Sequence, residues 1–297
     1  MESVNLYRVI FAAILPAFLL VLFIYWRDKN QREPFMQIVK GVLYGVLSAG
    51  IAMLLETLLS PIIPAEPATW LGAVFKGFVG AAIPEEFAKL TMLILLLRNN
   101  RYFDERFDGI VYAVCIGMGF AGTENIIYLL SNIDSWQSVA VSRAIFAVPG
   151  HFGFAVAMGY FYSMIYFKDM SPRYASRVYW MPVLLHGIYD SVLFMAGTPL
   201  SRMTGLSAVL VLCFYVFCWY LLKHSRKKIR EHYERDIHVS QRSSFLQPGA
   251  VIEDVEPIEE SKPLCMPRKM FVMMLTIGLV ILMIWLIWGI WTYVTAL

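Results

Sequence analysis

Residues 71–97 read LGAVFKGFVGAAIPEEFAKLTMLILLL. The run is long enough to cross a bilayer, for which an α-helix needs about 20 mainly apolar residues. It nonetheless holds Lys76, Glu85, Glu86 and Lys89. On insertion scales each charge in hydrocarbon costs at least about 2.5 to 3.5 kcal/mol. A span that keeps such groups must give them partners or a task, so matching groups are expected on its neighbours.

Comparable apolar runs recur at 7–26, 38–59, 109–130, 142–167, 178–196, 206–222 and 271–295. The chain of 297 residues is 59% hydrophobic and 16% charged, more apolar surface than a water-soluble domain can hide. These features predict an all-α integral membrane protein, a polytopic bundle of about eight transmembrane helices. The first run has Trp26 and several Phe, no small-residue cleavage site after it and another span close behind, so it is expected to be retained rather than cleaved.

Basic residues alternate between loops: Arg27, Lys29 and Arg32, then Arg98, Arg101 and Arg106, then Lys168, Arg173 and Arg177. By the positive-inside rule these loops are cytoplasmic and both termini extracytoplasmic. The intervening loops, such as 60–70 with its prolines and Glu66, carry almost no Lys or Arg. The expected organisation is a helical bundle over 1–223, with its polar core on helices within 71–196, and a cytoplasmic connection over 224–269. That connection starts in the basic run 223–230, passes into a Pro/Glu-rich stretch and is expected to be mobile. The uncharged last helix, 270–297, reads as an anchor. A net charge of +3, spread over alternate loops, excludes a nucleic-acid patch. Cys115, Cys213, Cys218 and Cys265 lack ligand-like spacing, so neither disulfides nor a thiolate metal site is expected.

Four successive spans carry groups that do not belong in lipid: Glu85, Glu86 and Lys89; then Glu124, beside Asn125; then Arg143 and His151; then His186 and Asp190. With alternating helix directions they reach a similar depth. Glu85 and Glu86 stand four and three residues before Lys89, and His186 four before Asp190, separations that bring side chains together on a helix. Pro84 cannot donate to the carbonyl of Gly80, so a kink or break is expected there. Taken singly, each group has a bland account. Lys89 neutralises a carboxylate in its own helix, Arg143 snorkels to the interface, His151 and Glu124 bond helices together, and Glu56 and Lys76 are structural. Together they describe more. A carboxylate in a low-dielectric site holds its proton tightly, a neighbouring imidazole orients or shares the proton of a water, and His186 with Asp190 or an amide meets a developing oxyanion. That is a water-activating hydrolase. Neither Ser142 nor Ser191 sits in a nucleophile-elbow pattern.

At these residues the sequence resembles the PrsW family of intramembrane proteases, relatives of the type II CAAX prenyl proteases. Pro-Glu-Glu-Phe-Ala-Lys at 84–89 matches its EExxK motif, and the stretch from Phe120 to Glu124 and Asn125 its FxxxE motif. Arg143 followed by His151 is similar to the third motif, and His186 to Asp190 to the fourth, HxxxD. The resemblance implies Glu85 or Glu86 as the water-activating base, His151 as its partner, His186 and Asp190 near the oxyanion, and Glu124 completing the site. It also implies a multi-pass protein of a bacterial inner membrane and, as substrate, a membrane protein such as a single-span anti-sigma factor, cut at site 1 in a stress-signalling cascade. Glu124 stands where the CAAX branch is expected to carry Arg, which favours a membrane-protein substrate over a prenylated one.

The same four residues Glu85, Glu86, His151 and His186 are also ordinary zinc ligands. Lys89 weakens ligation by either Glu, so no cofactor is favoured, with zinc as the alternative. A proton-coupled transporter also gathers such groups at the midplane but is expected to break helices in paired repeats, and no second interruption matches Pro84. A non-catalytic scaffold is the remaining alternative.

Overall fold

The computed structural model describes residues 5–28 and 31–245, and among these every regular element is helical. Helices α1 (Leu6–Arg27) and α2 (Phe35–Leu59) precede a composite helix of three continuous pieces: α3 (Trp70–Phe75), the π-helical turn π1 (Lys76–Ala82) and α4 (Ile83–Leu97). After α5 (Arg106–Ser131) comes a second composite, of α6 (Trp136–Ser142), the π-helical turn π2 (Arg143–Ala147) and α7 (Val148–Tyr166). The order ends with α8 (Arg177–Gly197), the short α9 (Pro199–Thr204) and α10 (Leu206–Phe245). Among the described residues six helical runs are long and apolar enough to cross a membrane. The continuous run 70–97 is as long, but with Lys76, Glu85, Glu86 and Lys89 it is too charged to count among them. The expected eighth span, 271–295, and the Pro/Glu-rich stretch lie outside the described residues.

Both π turns sit immediately ahead of a proline, Pro84 or Pro149. Proline inside a helix has no N–H to give and crowds the carbonyl four residues back. The backbone answers with a wider π turn and stays continuous, where the sequence predicted a kink or break at Pro84. Two residues beyond these prolines stand Glu86 and His151, so each π turn sets the phase of a helix that carries the polar centre.

The central helix is α5, buried along most of its length and packed against α1, α2, α7 and α10. Glycines at two contact pairs let helices approach closely. A Cβ on Gly159 would stand 2.3 Å from the carbonyl oxygen of Gly109, and one on Gly187 would stand 2.3 Å from the ring of Phe78. The first pair joins α5 to α7 and the second joins π1 to α8, which are the helices whose polar groups must meet.

One span ends far from where the sequence placed it. Instead of stopping at Leu222, α10 runs on through the basic stretch to Phe245, because that stretch docks on the bundle. Ile229 and His232 are buried, His232 stacks on Tyr160 with ring centroids 4.4 Å apart, and the Asp236 carboxylate accepts the N–H groups of Arg106 (3.2 Å) and Phe107 (2.9 Å), capping α5.

Candidate active site

The polar centre is built from four helices. Glu85, Glu86 and Lys89 come from the first turns of α4, Phe120, Glu124 and Asn125 from α5, His151 from α7 with Arg143 opening π2, and His186 and Asp190 from α8. Glu85, Glu86, Lys89, His151 and His186 are at most 5% exposed.

Lys89 lies at the middle. Its ammonium donates to Glu85 Oε2 (3.0 Å) and Glu86 Oε1 (2.8 Å), lies 3.2 Å from His151 Nδ1 and sits 3.8 Å over the ring of Phe120. It serves two helices rather than its own alone. His186 Nδ1 meets Glu86 Oε1 at 2.9 Å, while its Nε2 faces Asp190 Oδ2 at 3.3 Å and Glu85 Oε2 at 3.9 Å. His151 Nε2 meets Glu124 Oε2 at 2.9 Å. Phe154 stacks on His186, centroids 4.6 Å apart, and fixes the plane of that ring. Four carboxylates thus share two fixed cations, Lys89 and Arg143, with the two imidazoles bridging between them.

Arg143 does not snorkel to the interface. Its guanidinium donates to Glu124 Oε2 and Asn125 Oδ1, both at 2.6 Å, and covers the ring of Tyr128 at 4.0 Å. Asn125 in turn donates to the Ala13 carbonyl of α1 (3.0 Å). Glu124 is thereby clamped between an arginine and a histidine.

The two adjacent glutamates differ in access. Glu85 lines a groove of about 280 Å³ shared with Glu124, His151, His186 and Asp190. It also lines a second groove, of about 380 Å³, with Glu56 and Lys76. Glu86 is fully buried, and its Oε2 has no hydrogen-bond partner. The sequence had assigned Glu56 a structural place only; as a lone acid on α2 it offered no spacing signal. The Pro149 turn did have one, since proline stands two residues before His151 just as Pro84 stands two before Glu86.

One ligand atom from each of Glu85, Glu86, His151 and His186 lies within 4.8 Å of the others. The donor types fit a divalent ion, and Glu124 and Asp190 would support the outer nitrogens of the two imidazoles. Lys89, however, is within hydrogen-bonding distance of three of the four, so a dication shared by the same atoms would have to displace its ammonium.

A buried carboxylate, an imidazole beside it and a groove that reaches them inside a helical membrane bundle define a hydrolase working within the bilayer. Comparison with known proteins agrees. The model of the family described as PrsW family intramembrane metalloprotease matches residues 33–221. Protease PrsW of Clostridioides difficile is 34% identical over 185 residues, covering 61% of this chain and 77% of that protein. Its namesake in Geobacillus kaustophilus is 33% identical over 190 residues (63% and 80%), and the one in Bacillus subtilis 29% over 231 residues (76% and 97%). No solved structure matches. The chain belongs to the PrsW family and is a multi-pass intramembrane protease.

Proposed function

We propose that the site cleaves a membrane-protein substrate with a water activated by Glu85, without a metal. The observation that supports this is the division of labour between the two glutamates. Glu86 is spent holding Lys89 and His186, whereas Glu85 faces the groove with one oxygen bonded to Lys89. A water in the groove gives its proton to Glu85 as it attacks the scissile carbonyl, and Glu85 returns that proton to the leaving amine. His186, positioned by Glu86, Asp190 and the ring of Phe154, faces the carbonyl oxygen. His151, held by Glu124, keeps the ammonium of Lys89 against Glu85 and lowers the cost of charge there.

A zinc-dependent mechanism is the second reading, favoured by the convergence of four donors and by the carboxylates behind both imidazoles. Zinc held there would polarise the carbonyl and acidify a bound water. For the substrate, the family resemblance favours a single-span anti-sigma factor. The alternating basic loops favour a bacterial inner membrane with the basic end in the cytoplasm and the N-terminus outside.

Cleavage of a single-span anti-sigma-like substrate in proteoliposomes, with and without chelator and alongside metal analysis, tests the proposal. Metal-free protein that cleaves, resists chelation and loses activity in Glu85→Gln is the expected result. Chelator-sensitive cleavage with stoichiometric zinc would replace the mechanism with the second one.

A further inference from the structure

Away from the polar centre, a groove of about 780 Å³ lies between the last turns of α1 and the middle of α10. Arg27 enters it from α1, and Lys223, His224, Arg226, Lys227 and Arg230 from α10. No carboxylate among the described residues lines it. Among the described residues no acid pairs with Arg27, Lys223 or Arg226, and the acids nearest the others, Glu231 and Glu234, reach Lys227 at 3.9 Å and Arg230 at 3.5 Å along one helix face. Elsewhere at the same end of the bundle arginine is satisfied within the protein: Arg106 makes a two-pronged pair with Asp169 at 2.5 and 3.0 Å. A concave surface that concentrates positive charge without internal acids calls for an anion from outside.

Its position says which anion. On α10 the sequence changes at Lys223 from apolar to basic, and on α1 the apolar run ends at Arg27, so the level where hydrocarbon gives way to water passes through the groove. Trp219 and Tyr220 are 63% and 53% exposed at that level, as aromatic residues are at a headgroup boundary. Lys223 lies over Trp219 at 4.9 Å, leaving its remaining donors to the groove. Towards the bilayer, Leu212 and Val216 of α10 and Phe23 of α1 are exposed and offer a path for acyl chains. The volume suits a glycerophosphate headgroup, and guanidinium forks match phosphate oxygens.

We propose that this groove binds the headgroup of an anionic phospholipid from the leaflet at the basic end of the bundle. A phosphodiester would bridge Arg27 and Arg226, with Lys223 and Lys227 at its rim, tying α1 to α10 at a level where no acid among the described residues does so. Basic juxtamembrane residues contribute about 1 kcal/mol each towards anionic lipid, which is about five-fold in affinity.

Full-length protein in detergent, titrated separately with phosphatidylglycerol, phosphatidylcholine and inorganic phosphate and read by native mass spectrometry, tests the site. Phosphatidylglycerol should be retained over phosphatidylcholine. The variant Lys223→Gln/Arg226→Gln should weaken it about five-fold for each cation removed, and Arg173→Gln/Arg177→Gln, basic but outside the groove, should not. Equal retention of the two lipids by wild type, a comparison that needs no variant to fold, overturns the proposal, as does unchanged binding in the groove variant. Inorganic phosphate binding as well as the lipid would make the ligand a soluble anion. Lipid binding that emerges only when Glu253, Asp254, Glu256 and Glu259 are neutralised would assign the groove to that acidic stretch of the chain.

Discussion

Two groups of buried carboxylates occupy this bundle, one at its centre and one at its basic end, and they are kept there by opposite means. At the centre Glu85, Glu86 and Glu124 each meet a cation or imidazole supplied within 3.0 Å, across four helices. At the basic end Asp28 and Glu33, between α1 and α2, are buried like Asp108 at the start of α5, and among the described residues no ion pair within 4.0 Å reaches any of the three. Burial pushes the Glu33 carboxyl up to about 7, with Asp28 reinforcing it and the donated hydroxyl of Tyr112 opposing it. Burial likewise pushes Asp28 up to about 6, which backbone N–H groups and Arg32 partly offset. Cations and imidazoles from neighbouring helices meet the first group, whereas the second closes a helix junction with carboxyls that burial has pushed up.

The comparison breaks most severely if the centre is only structural. Glu85→Gln is expected to lower cleavage by about 10²- to 10⁴-fold, the usual worth of a positioned base, while Glu33→Gln leaves it within a few-fold; equal losses in a proteoliposome assay would erase the distinction. Removing the shared cation comes next. Lys89→Met strands two buried carboxylates and is expected to cost about 3 to 5 kcal/mol in stability by reversible unfolding, where a surface lysine such as Lys227 would cost almost nothing. Packing beneath the site follows: Gly187→Ala drives a methyl into Phe78 and should cost about 1 to 3 kcal/mol, with cleavage falling because π1 and α8 separate.

At the basic end, pH is the probe. In the unfolded chain Asp28 and Glu33 ionise near 3.8 and 4.5, so between there and neutrality the folded protein holds more protons than the unfolded. Stability is therefore greatest at low pH within this window and is lost as pH rises through about 6 to 7. After allowance for solvent screening the change is about 1 to 2 kcal/mol. Melting temperature against pH should fall across that interval in wild type and flatten in Glu33→Gln. The smallest effect expected is that of Asp236→Asn, which weakens a cap on α5 at a cost of about 1 kcal/mol; a larger loss would mean that α10 holds the basic end together more than its one cap accounts for.

Much of this was legible in the sequence. Spans set by apolar length fell within a few residues of the helices for α1, α2, α5 and α8, because lipid permits only internally bonded backbone and the run of apolar residues fixes its length. The meeting of α4, α5, α7 and α8 was legible too, since charges in lipid must find one another. The continuation of α10 was not: a basic stretch reads as solvated chain until α5 and α7 are present to bury Ile229 and to receive Asp236.

By itself, then, the sequence determined a polytopic helical membrane protein, the residue types of its centre and the four helices that carry them, because hydrophobic length and i,i+4 spacing are local properties. Only the tertiary structure decided that Lys89 is shared with His151, that Arg143 turns inward to Glu124, that Glu85 rather than Glu86 faces the grooves, and that prolines are absorbed by π turns. Each of these depends on the rotational phase of one helix against another. Phase is set by glycine contacts and proline-induced turns between segments far apart in the chain, and no spacing within a single helix encodes it.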